Sequence, residues 1–305
     1  MRIRRAYCAE LKRPVTADEA RREFLSLRNR PEEFHFFCSS EACKSQGTSV
    51  RITCANYKNF AAEGKKFVTT YFRRWDDHVI GCCYYVPDNE SNDHQQEQGK
   101  GKRRRKKETD LVDIFDPRPS NERQRAVNPS KTTINTASDE DEAEDDSPGS
   151  GCQNENLTRT IFLDKLVDTY EEAKQVLPKE EFFTKKIHLV GTGDVLLCEY
   201  FKPMSKAILD GEKKVYFGKA RLEKRFGIGF RLLFSEKVNN LPVFLYVSSE
   251  ALQKYKHKDY LQGMLDEASK KASFETYALG FFTVSPTGKS ISIVINDLHH
   301  LTFLI

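Results

Sequence analysis

The segments YFGKARLEKR (216–225), GFRLLFS (229–235) and VFLYVS (243–248) decide the fold of this 305-residue chain. In each of them apolar side chains dominate or alternate with polar ones, which is the pattern of a β-strand with one buried face. Turn-forming residues, including Gly227 between the first and second segments, separate them. The sequence therefore predicts three consecutive strands.

The residues that follow extend the pattern to five strands. Residues 252–271 carry apolar side chains at helical spacing, and residues 277–284 and 290–295 return to strand around a Pro-Thr-Gly turn at 286–288. The order of three strands, a helix and two strands resembles the OB-fold, a small Greek-key barrel that mostly holds single-stranded nucleic acid or docks proteins. This resemblance implies a mainly β fold with some helix (α+β) and an activity of binding rather than catalysis.

Strand alternation sorts the side chains of the first three strands into an inner and an outer face. The outer set combines aromatic rings with cations and consists of Phe217, Lys219, Arg221, Arg231, Phe244 and Tyr246. Bases stack on such rings for about 1–3 kcal/mol each while cations follow the phosphates, so the set predicts a single-strand-binding face. The alternative is that Phe244 packs beneath residues 157–212 and that Lys219 and Arg221 form a solvated face.

Two short-range pairs of cysteine and histidine lie in residues 1–86. Cys38 and Cys43 occur in FHFFCSSEACKSQG, and His78 and Cys82 occur in YFRRWDDHVIGCCY. Two pairs separated by a longer insertion are typical of a structural zinc module, which needs four nitrogen or sulfur ligands in a tetrahedron. The ion would join two turns and stabilise a unit with a thin hydrophobic core.

This stretch of about 50 residues resembles the amino-terminal zinc-finger-like segments of some bacterial DNA-processing proteins. Alternative ligands remain open, with Cys83 in place of Cys82, or with Cys8, His35 or Cys54 in the set. Buried free cysteines are the structural alternative. A catalytic cysteine–histidine pair is disfavoured because no flanking nucleophile motif is present.

Charge and composition divide the chain into three parts. Residues 1–86 have a net charge of +6, residues 87–156 of −6 and residues 157–305 of +4. The middle part contains the basic run KRRRKK (102–107) and the acidic run 139–146 but few apolar residues, which predicts a disordered linker. We therefore expect a zinc module at 1–86, a linker at 87–156 and an OB-like domain at 157–305, with the barrel itself at about 213–305.

The linker range holds one apolar cluster, formed by Leu111, Val112, Ile114 and Phe115. It is either a docking motif or an incidental cluster. The basic run is a nuclear import signal in a nucleated cell, a phosphate clamp in a bacterium, or a solvated linker, and the acidic run is a solvated segment or an internal competitor for the basic surfaces.

No apolar run approaches the roughly 20 residues that span a bilayer, and the charged amino terminus lacks the apolar centre of a secretory signal. A soluble intracellular protein, cytoplasmic or nuclear, is therefore expected, with no membrane partner. His299 and His300 are expected to point to opposite faces of a strand end, one of them exposed, without sharing a metal ion.

No phosphate-binding glycine motif, carboxylate cluster or activated nucleophile is evident, so neither an enzyme nor a small-molecule cofactor is predicted. The preferred function is binding of single-stranded DNA in repair, replication, transfer or defence. The alternative is a protein–protein adaptor that uses the zinc module and the barrel as docking domains.

Overall fold

Three sheets form the β framework of the described residues, which are 3–45, 50–60, 70–82, 84–85, 112–118 and 159–304 of a computed structural model. They contain five, four and seven strands, and helices pack on them. The fold is thus α+β and dominated by strands, as the sequence predicts. Cys83, both charged runs of the linker and most of the rest of residues 87–156 lie outside the described residues. Within the described ranges, none of the helices is both long and apolar enough to span a membrane.

The amino-terminal unit is an antiparallel sheet with a helix on one face. Its elements are β1 (Arg5–Cys8), β2 (Arg13–Thr16), α1 (Ala17–Ser26), β3 (Phe36–Cys38), α2 (Glu41–Ser45), β4 (Arg51–Ala55) and β5 (Tyr71–Arg74). The strand order is β2-β1-β3-β4-β5. A capping box starts α1: the Thr16 hydroxyl accepts from the Glu19 amide, and the Glu19 carboxylate accepts from the Thr16 amide. The β1–β2 hairpin that precedes this helix was not predicted from the sequence.

A four-stranded layer precedes the barrel. It contains β6 (Ile114–Phe115), β7 (Arg159–Thr160), α3 (Leu163–Val176), α4 (Lys179–Thr184), β8 (Lys186–Leu189), β9 (Gly193–Leu196), α5 (Leu197–Tyr200), β10 (Phe201–Pro203) and a 3₁₀ turn, Met204–Lys206. The sheet order is β7-β6-β8-β9, and β10 pairs with the barrel instead. Ile114 and Phe115, within the range that the sequence assigns to the linker, thus form a strand of this sheet, and Val112 and Phe115 are buried in a second hydrophobic core that includes residues of α3.

The carboxy-terminal domain contains a closed five-strand barrel of the OB-like shape. Its elements are β11 (Lys214–Phe226), β12 (Gly229–Val238), β13 (Leu241–Val247), α6 (Ser249–Lys254), α7 (Lys258–Ser269), β14 (Phe274–Val284), β15 (Ile291–Val294), a 3₁₀ turn (Leu298–His300) and β16 (Leu301–Leu304). The strands run β11-β12-β13-β15-β14, and β14 pairs back to β11. Only the β13–β15 pairing within the barrel is parallel.

The helical insertion differs from the single helix predicted over 252–271. It is two helices separated at residues 255–257, where His257 has a φ of −98° and a ψ of 35°. The break lets the rings of Tyr255 and His257 contact the buried His299. The predicted apolar stripe of Leu261, Met264, Leu265 and Ala268 is buried in the core at the barrel.

The amino-terminal unit and the barrel domain share one hydrophobic core. The ring of Phe60 lies 5.8 Å from that of Tyr260 in α7, and Gly263 leaves room for the same phenylalanine, because a Cβ there would meet its ring at 3.0 Å. The two units are therefore in direct contact as well as joined through the chain, which the sequence pattern did not predict.

Candidate metal centre and nucleic-acid face

The four predicted metal ligands meet between two turns of the amino-terminal unit. Cys38 ends β3 and Cys43 lies in α2, where its amide donates to the Ser40 carbonyl at 3.1 Å. His78 and Cys82 lie in the turn after β5, which Gly81 closes with a φ of +91°. Such a φ favours glycine because other residues are strained there.

The distances among the four side chains suit a tetrahedral ion. The sulfurs of Cys38 and Cys82 are 3.8 Å apart, and His78 Nδ1 lies 3.7 Å from Cys43 Sγ and 3.3 Å from Cys82 Sγ. All four ligand atoms lie within 4.8 Å of one another. Bonds of about 2.3 Å to sulfur in a tetrahedron place neighbouring sulfurs about 3.8 Å apart. This cluster could hold a metal ion, and the cysteines in it form no disulfide.

The four ligand side chains are buried, and burial affects the protonation of their thiols. Each of the four residues is at most 6% exposed. Burial raises the pKa of the Cys38 thiol to about 12, so this thiol is protonated at neutral pH when no ion neutralises it. Burial also opposes ionisation of Cys82, but the Tyr84 amide donates to its sulfur at 3.4 Å and, with its neighbours, lowers the pKa of this thiol.

The structure also places the alternative ligands. Cys8 donates to Glu10 at 3.4 Å, and His35 bonds the same carboxylate at 2.6 Å, away from the cluster. Cys54 is buried in β4, where desolvation raises the pKa of its thiol. Among the described residues, Cys82 is the sulfur that completes the set.

The barrel strands alternate as predicted between the core and the outside. The predicted inner residues of β12 and β13 are all buried; they are Phe230, Leu232, Phe234, Val243, Leu245 and Val247. One β-bulge, between Leu222 and Lys224, changes the alternation of β11. Gly218 in β11 leaves space for Glu236 and Met204, whose atoms lie 2.9 and 3.1 Å from the position of a Cβ there.

Five of the six predicted nucleic-acid-binding residues share the outer surface of β11, β12 and β13. Across the strands, Arg221 is opposite Leu233, which is opposite Phe244. One step along, Arg231 is opposite Tyr246, and Lys219 is exposed further down β11. We call the set Lys219, Arg221, Arg231, Phe244 and Tyr246 the barrel face.

Local contacts orient the side chains of the barrel face. The Arg231 guanidinium lies 5.0 Å from the centre of the Phe244 ring and pairs with the Glu223 carboxylate. Tyr246 is 52% exposed, and its ring meets Phe226 edge-on at 5.7 Å. The face is therefore a surface of ordered rings and cations.

The surroundings of the barrel face carry both signs of charge. Lys224 lies 5.2 Å above the Phe226 ring and adds a cation that the sequence pattern did not assign, because the bulge changes its orientation. Glu275 is opposite Lys219 on β14, and burial beside Glu236 and Glu171 raises the pKa of its carboxyl.

Phe217 does not belong to this open surface, although it was predicted to. Its ring stacks on Tyr277 at 5.2 Å with an interplanar angle of 13° and lies 5.9 Å from the ring of Tyr170 in α3. The helix covers this end of β11, so Phe217 packs against the second hydrophobic core.

The two histidines near the carboxy terminus differ from expectation. His299 and His300 are both buried, at 8% and 0% exposure, because they lie in a 3₁₀ turn rather than in an exposed strand end. His299 Nδ1 bonds Asp297 at 2.6 Å. The prediction that one of them is exposed was wrong.

The chain was compared with known protein families, curated proteins and solved structures. No protein family, curated protein or solved structure matches the chain.

Proposed function

We propose that the protein binds single-stranded DNA on the barrel face and that Cys38, Cys43, His78 and Cys82 hold a structural zinc ion. The proposed binding is independent of base sequence and involves no turnover. Such binding would serve DNA repair, replication, transfer or defence, in which single strands are exposed. The proposed location is inside the cell, in the cytoplasm or, in a nucleated cell, in the nucleus.

The observation that carries the proposal is the cross-strand arrangement of rings and cations. Arg231 holds a guanidinium over Phe244 while Tyr246 leaves half its surface exposed on the neighbouring strand. Bases of any identity can stack on such rings, and the cations Lys219 and Arg221 extend the surface along β11 for the phosphates. The OB-like shape supports it, since the outer surface of the second and third strands is the usual ligand side of that fold.

The ligand set supports zinc as the ion. Three thiolates and one imidazole in a closed, buried tetrahedron suit zinc, and four protein ligands leave no open position for catalysis. The ion would tie α2 and β3 to the turn after β5, which is a structural role.

Fluorescence anisotropy of the full chain with labelled single-stranded and double-stranded DNA, across a salt series, tests the function. We expect preference for the single strand and affinity that falls with salt. Tyr246→Ala should weaken binding about 5- to 150-fold, which is the loss of one stacked base. The matched control is Phe183→Ala, which removes another exposed aromatic ring away from the barrel face. Equal effects of the two variants, or no binding at low salt, would contradict the proposal.

A protein–protein adaptor is the second candidate, and one observation favours it. Trp75 and Ile80, in the segment after β5 that carries His78 and Cys82, are 68% and 76% exposed. Large exposed apolar side chains near one another are typical of docking sites. An adaptor predicts that Trp75→Ser abolishes capture of a specific protein partner while the anisotropy titration with DNA stays flat for the wild type.

A further inference from the structure

The five-stranded sheet of the amino-terminal unit has one covered face and one open face. The covered face packs beneath α1 and contributes the buried side chains Ala6, Cys8, Val15, Phe36, Cys38, Ile52, Cys54 and Phe72. Strand alternation directs the intervening residues to the opposite side. Apart from Thr16, which caps α1, those that are exposed or half-buried are Arg5, Tyr7, Pro14, Phe37, Arg51, Thr53, Tyr71 and Arg73. We call these eight residues the open sheet face.

The composition of the open sheet face is unusual for a solvated surface. It contains three aromatic rings and three arginines, and none of its eight residues is acidic. A solvated surface normally mixes charges of both signs. Half-buried rings and arginines on a surface that has no carboxylate of its own suit an anionic ligand with flat apolar parts.

The register places these side chains in one row. Tyr7 is directly opposite Phe37, and Phe37 is directly opposite Arg51. Adjacent strands are about 4.8 Å apart, so the two rings and the guanidinium lie side by side across the centre of the sheet.

A second pair continues the surface at the edge of the sheet. Arg73 donates to the Tyr71 hydroxyl from Nε at 3.1 Å and from Nη2 at 2.8 Å, and its guanidinium lies 5.2 Å from the centre of that ring. Arg73 is also opposite Thr53 on β4. The guanidinium is thus held in place over the strand, as phosphate recognition by arginine requires.

The nearest carboxylates lie at the margins and are engaged. Asp76 accepts the backbone amide of Arg51 at 2.9 Å, and Asp77 pairs with Arg74 at 3.2 Å. At the other edge, Glu10 accepts from the amide and the ring of His35. The eight residues of the open sheet face carry no negative charge themselves, and the Asp76 carboxylate adjoins Arg51 at one end of the row.

We propose that the open sheet face is a second binding site for single-stranded DNA, in which bases stack on Tyr7 and Phe37 while Arg51 and Arg73 contact phosphates. This inference deepens the proposed function, since it adds a second surface for the same ligand, but its evidence is independent of the barrel face. Because the two units share a core, a bound strand would contact two surfaces whose separation is fixed.

The first test measures binding of a fluorescein-labelled 30-nucleotide oligothymidylate to full-length variants. Tyr7→Thr with Phe37→Thr removes both rings but keeps strand-favouring residues, and it should weaken binding at least tenfold. Phe183→Thr, the loss of an exposed ring elsewhere, should stay within twofold of the wild type. Unchanged affinity of the double variant, with a wild-type melting temperature, would overturn the proposal.

The second test removes the charge of one arginine and measures the salt dependence of DNA affinity, so it does not depend on whether the ring variants fold. Arg51→Gln should make the plot of log affinity against log salt shallower by about 0.7, the slope expected for one lost phosphate contact with a single strand. Arg28→Gln, which removes an exposed arginine outside the sheet, is the matched control and should leave the slope unchanged. Identical slopes for the two variants would count against the site.

Photocrosslinking separates this proposal from the barrel proposal. A strand containing 5-iododeoxyuridine should crosslink to peptides that contain Tyr7 or Phe37, as identified by mass spectrometry. Crosslinks at the sheet without any at Phe244 or Tyr246 would retain this site and refute the barrel face. Crosslinks confined to the barrel would retain the proposed function and refute this site. An open sheet face that binds only protein would also refute this site.

Discussion

The Arg22 guanidinium donates to the Asp164 carboxylate at 2.7 Å and so joins two helices whose residues are 142 positions apart in the chain. Arg22 lies in α1 of the amino-terminal unit, and Asp164 lies in α3 beside the barrel. The same guanidinium stacks 3.4 Å from the centre of the Phe162 ring. A neighbouring pair, Lys165 with Asp18 at 3.3 Å, connects the same helices. The contact between the two units is thus both apolar and ionic.

Asp164→Asn should therefore destabilise the whole chain. Arg22 has 3% of its side chain exposed, so loss of its main partner leaves a buried charge, at a cost of about 3–5 kcal/mol in the free energy of unfolding. Urea unfolding at neutral pH measures the change. Glu23→Gln breaks the more exposed pair with Arg13 and should cost at most about 1 kcal/mol. If Asp164→Asn costs no more than this control, the inter-unit pair does not stabilise the fold.

Loss of one metal ligand should release the ion and unfold its surroundings. Cys43→Ser should reduce bound zinc, measured by plasma mass spectrometry, from one ion per chain to a trace, because serine is a poor replacement for a thiolate. The melting temperature should fall as well, since metal binding contributes directly to folding. Chelation of the wild type should reproduce that fall.

Cys198→Ser is the control for the same chemical change, because Cys198 is partly exposed and lies outside the cluster. It should retain the ion and the melting temperature of the wild type. Equal zinc content in both variants, or a wild type that purifies without any metal and resists chelator, would rule out the proposed centre.

The barrel was predictable from sequence because its core follows a period of two. Phe230, Leu232 and Phe234 alternate with outward residues, and the structure buries all three. The bulge beside Glu223 and the helix break at His257 were not predictable, because each depends on contacts with distant elements. Covering of Phe217 by α3 has the same cause: alternation gives the face of a strand but not what packs on that face.

In the amino-terminal unit, chemistry was more predictable than structure. The cysteine and histidine pairs revealed the cluster because ligand type and spacing are local features. The β1–β2 hairpin was missed because its buried residues, Ala6, Cys8 and Val15, are small and few. Ile114 and Phe115 were assigned to the linker because a strand of two residues is too short to show a periodic pattern.

The Asp116 carboxylate should give the four-stranded layer a measurable acid sensitivity. Asp116 is 1% exposed, and burial alone would raise the pKa of its carboxyl. Arg118 donates to this carboxylate at 2.9 and 2.8 Å and Arg159 at 3.1 Å. These hydrogen bonds outweigh burial, so the pKa of Asp116 lies below the ordinary 3.8. A lowered folded-state pKa stabilises the fold above the unfolded-state value, and this stabilisation is lost as the pH falls through the folded-state pKa. Asp116→Asn should therefore destabilise the protein strongly at pH 7 and progressively less below about pH 4.

Urea unfolding of the wild type and of Asp116→Asn between pH 7 and pH 3 measures how the difference in their free energies of unfolding decreases with pH. Asp194→Asn, in β9 of the same sheet, is the matched control because its carboxylate is exposed and pairs with His188 at the surface. Its effect should be small at every pH. A difference in the free energy of unfolding between wild type and Asp116→Asn that stays constant across this pH range would show that ionisation of Asp116 contributes nothing to stability.

Phe217 and Tyr246 should separate stability from binding, since one is packed and the other is open. Phe217→Ala removes a ring stacked on Tyr277 and should lower the free energy of unfolding by about 2–4 kcal/mol, while the affinity for single-stranded DNA stays within twofold. Tyr246→Ala removes a half-exposed ring and should change stability by less than about 1 kcal/mol while it weakens binding. Thermal melting and anisotropy on both variants measure the two quantities. A Phe217→Ala protein that stays as stable as the wild type and loses affinity would return this ring to the binding surface, because only an accessible ring can stack on a base.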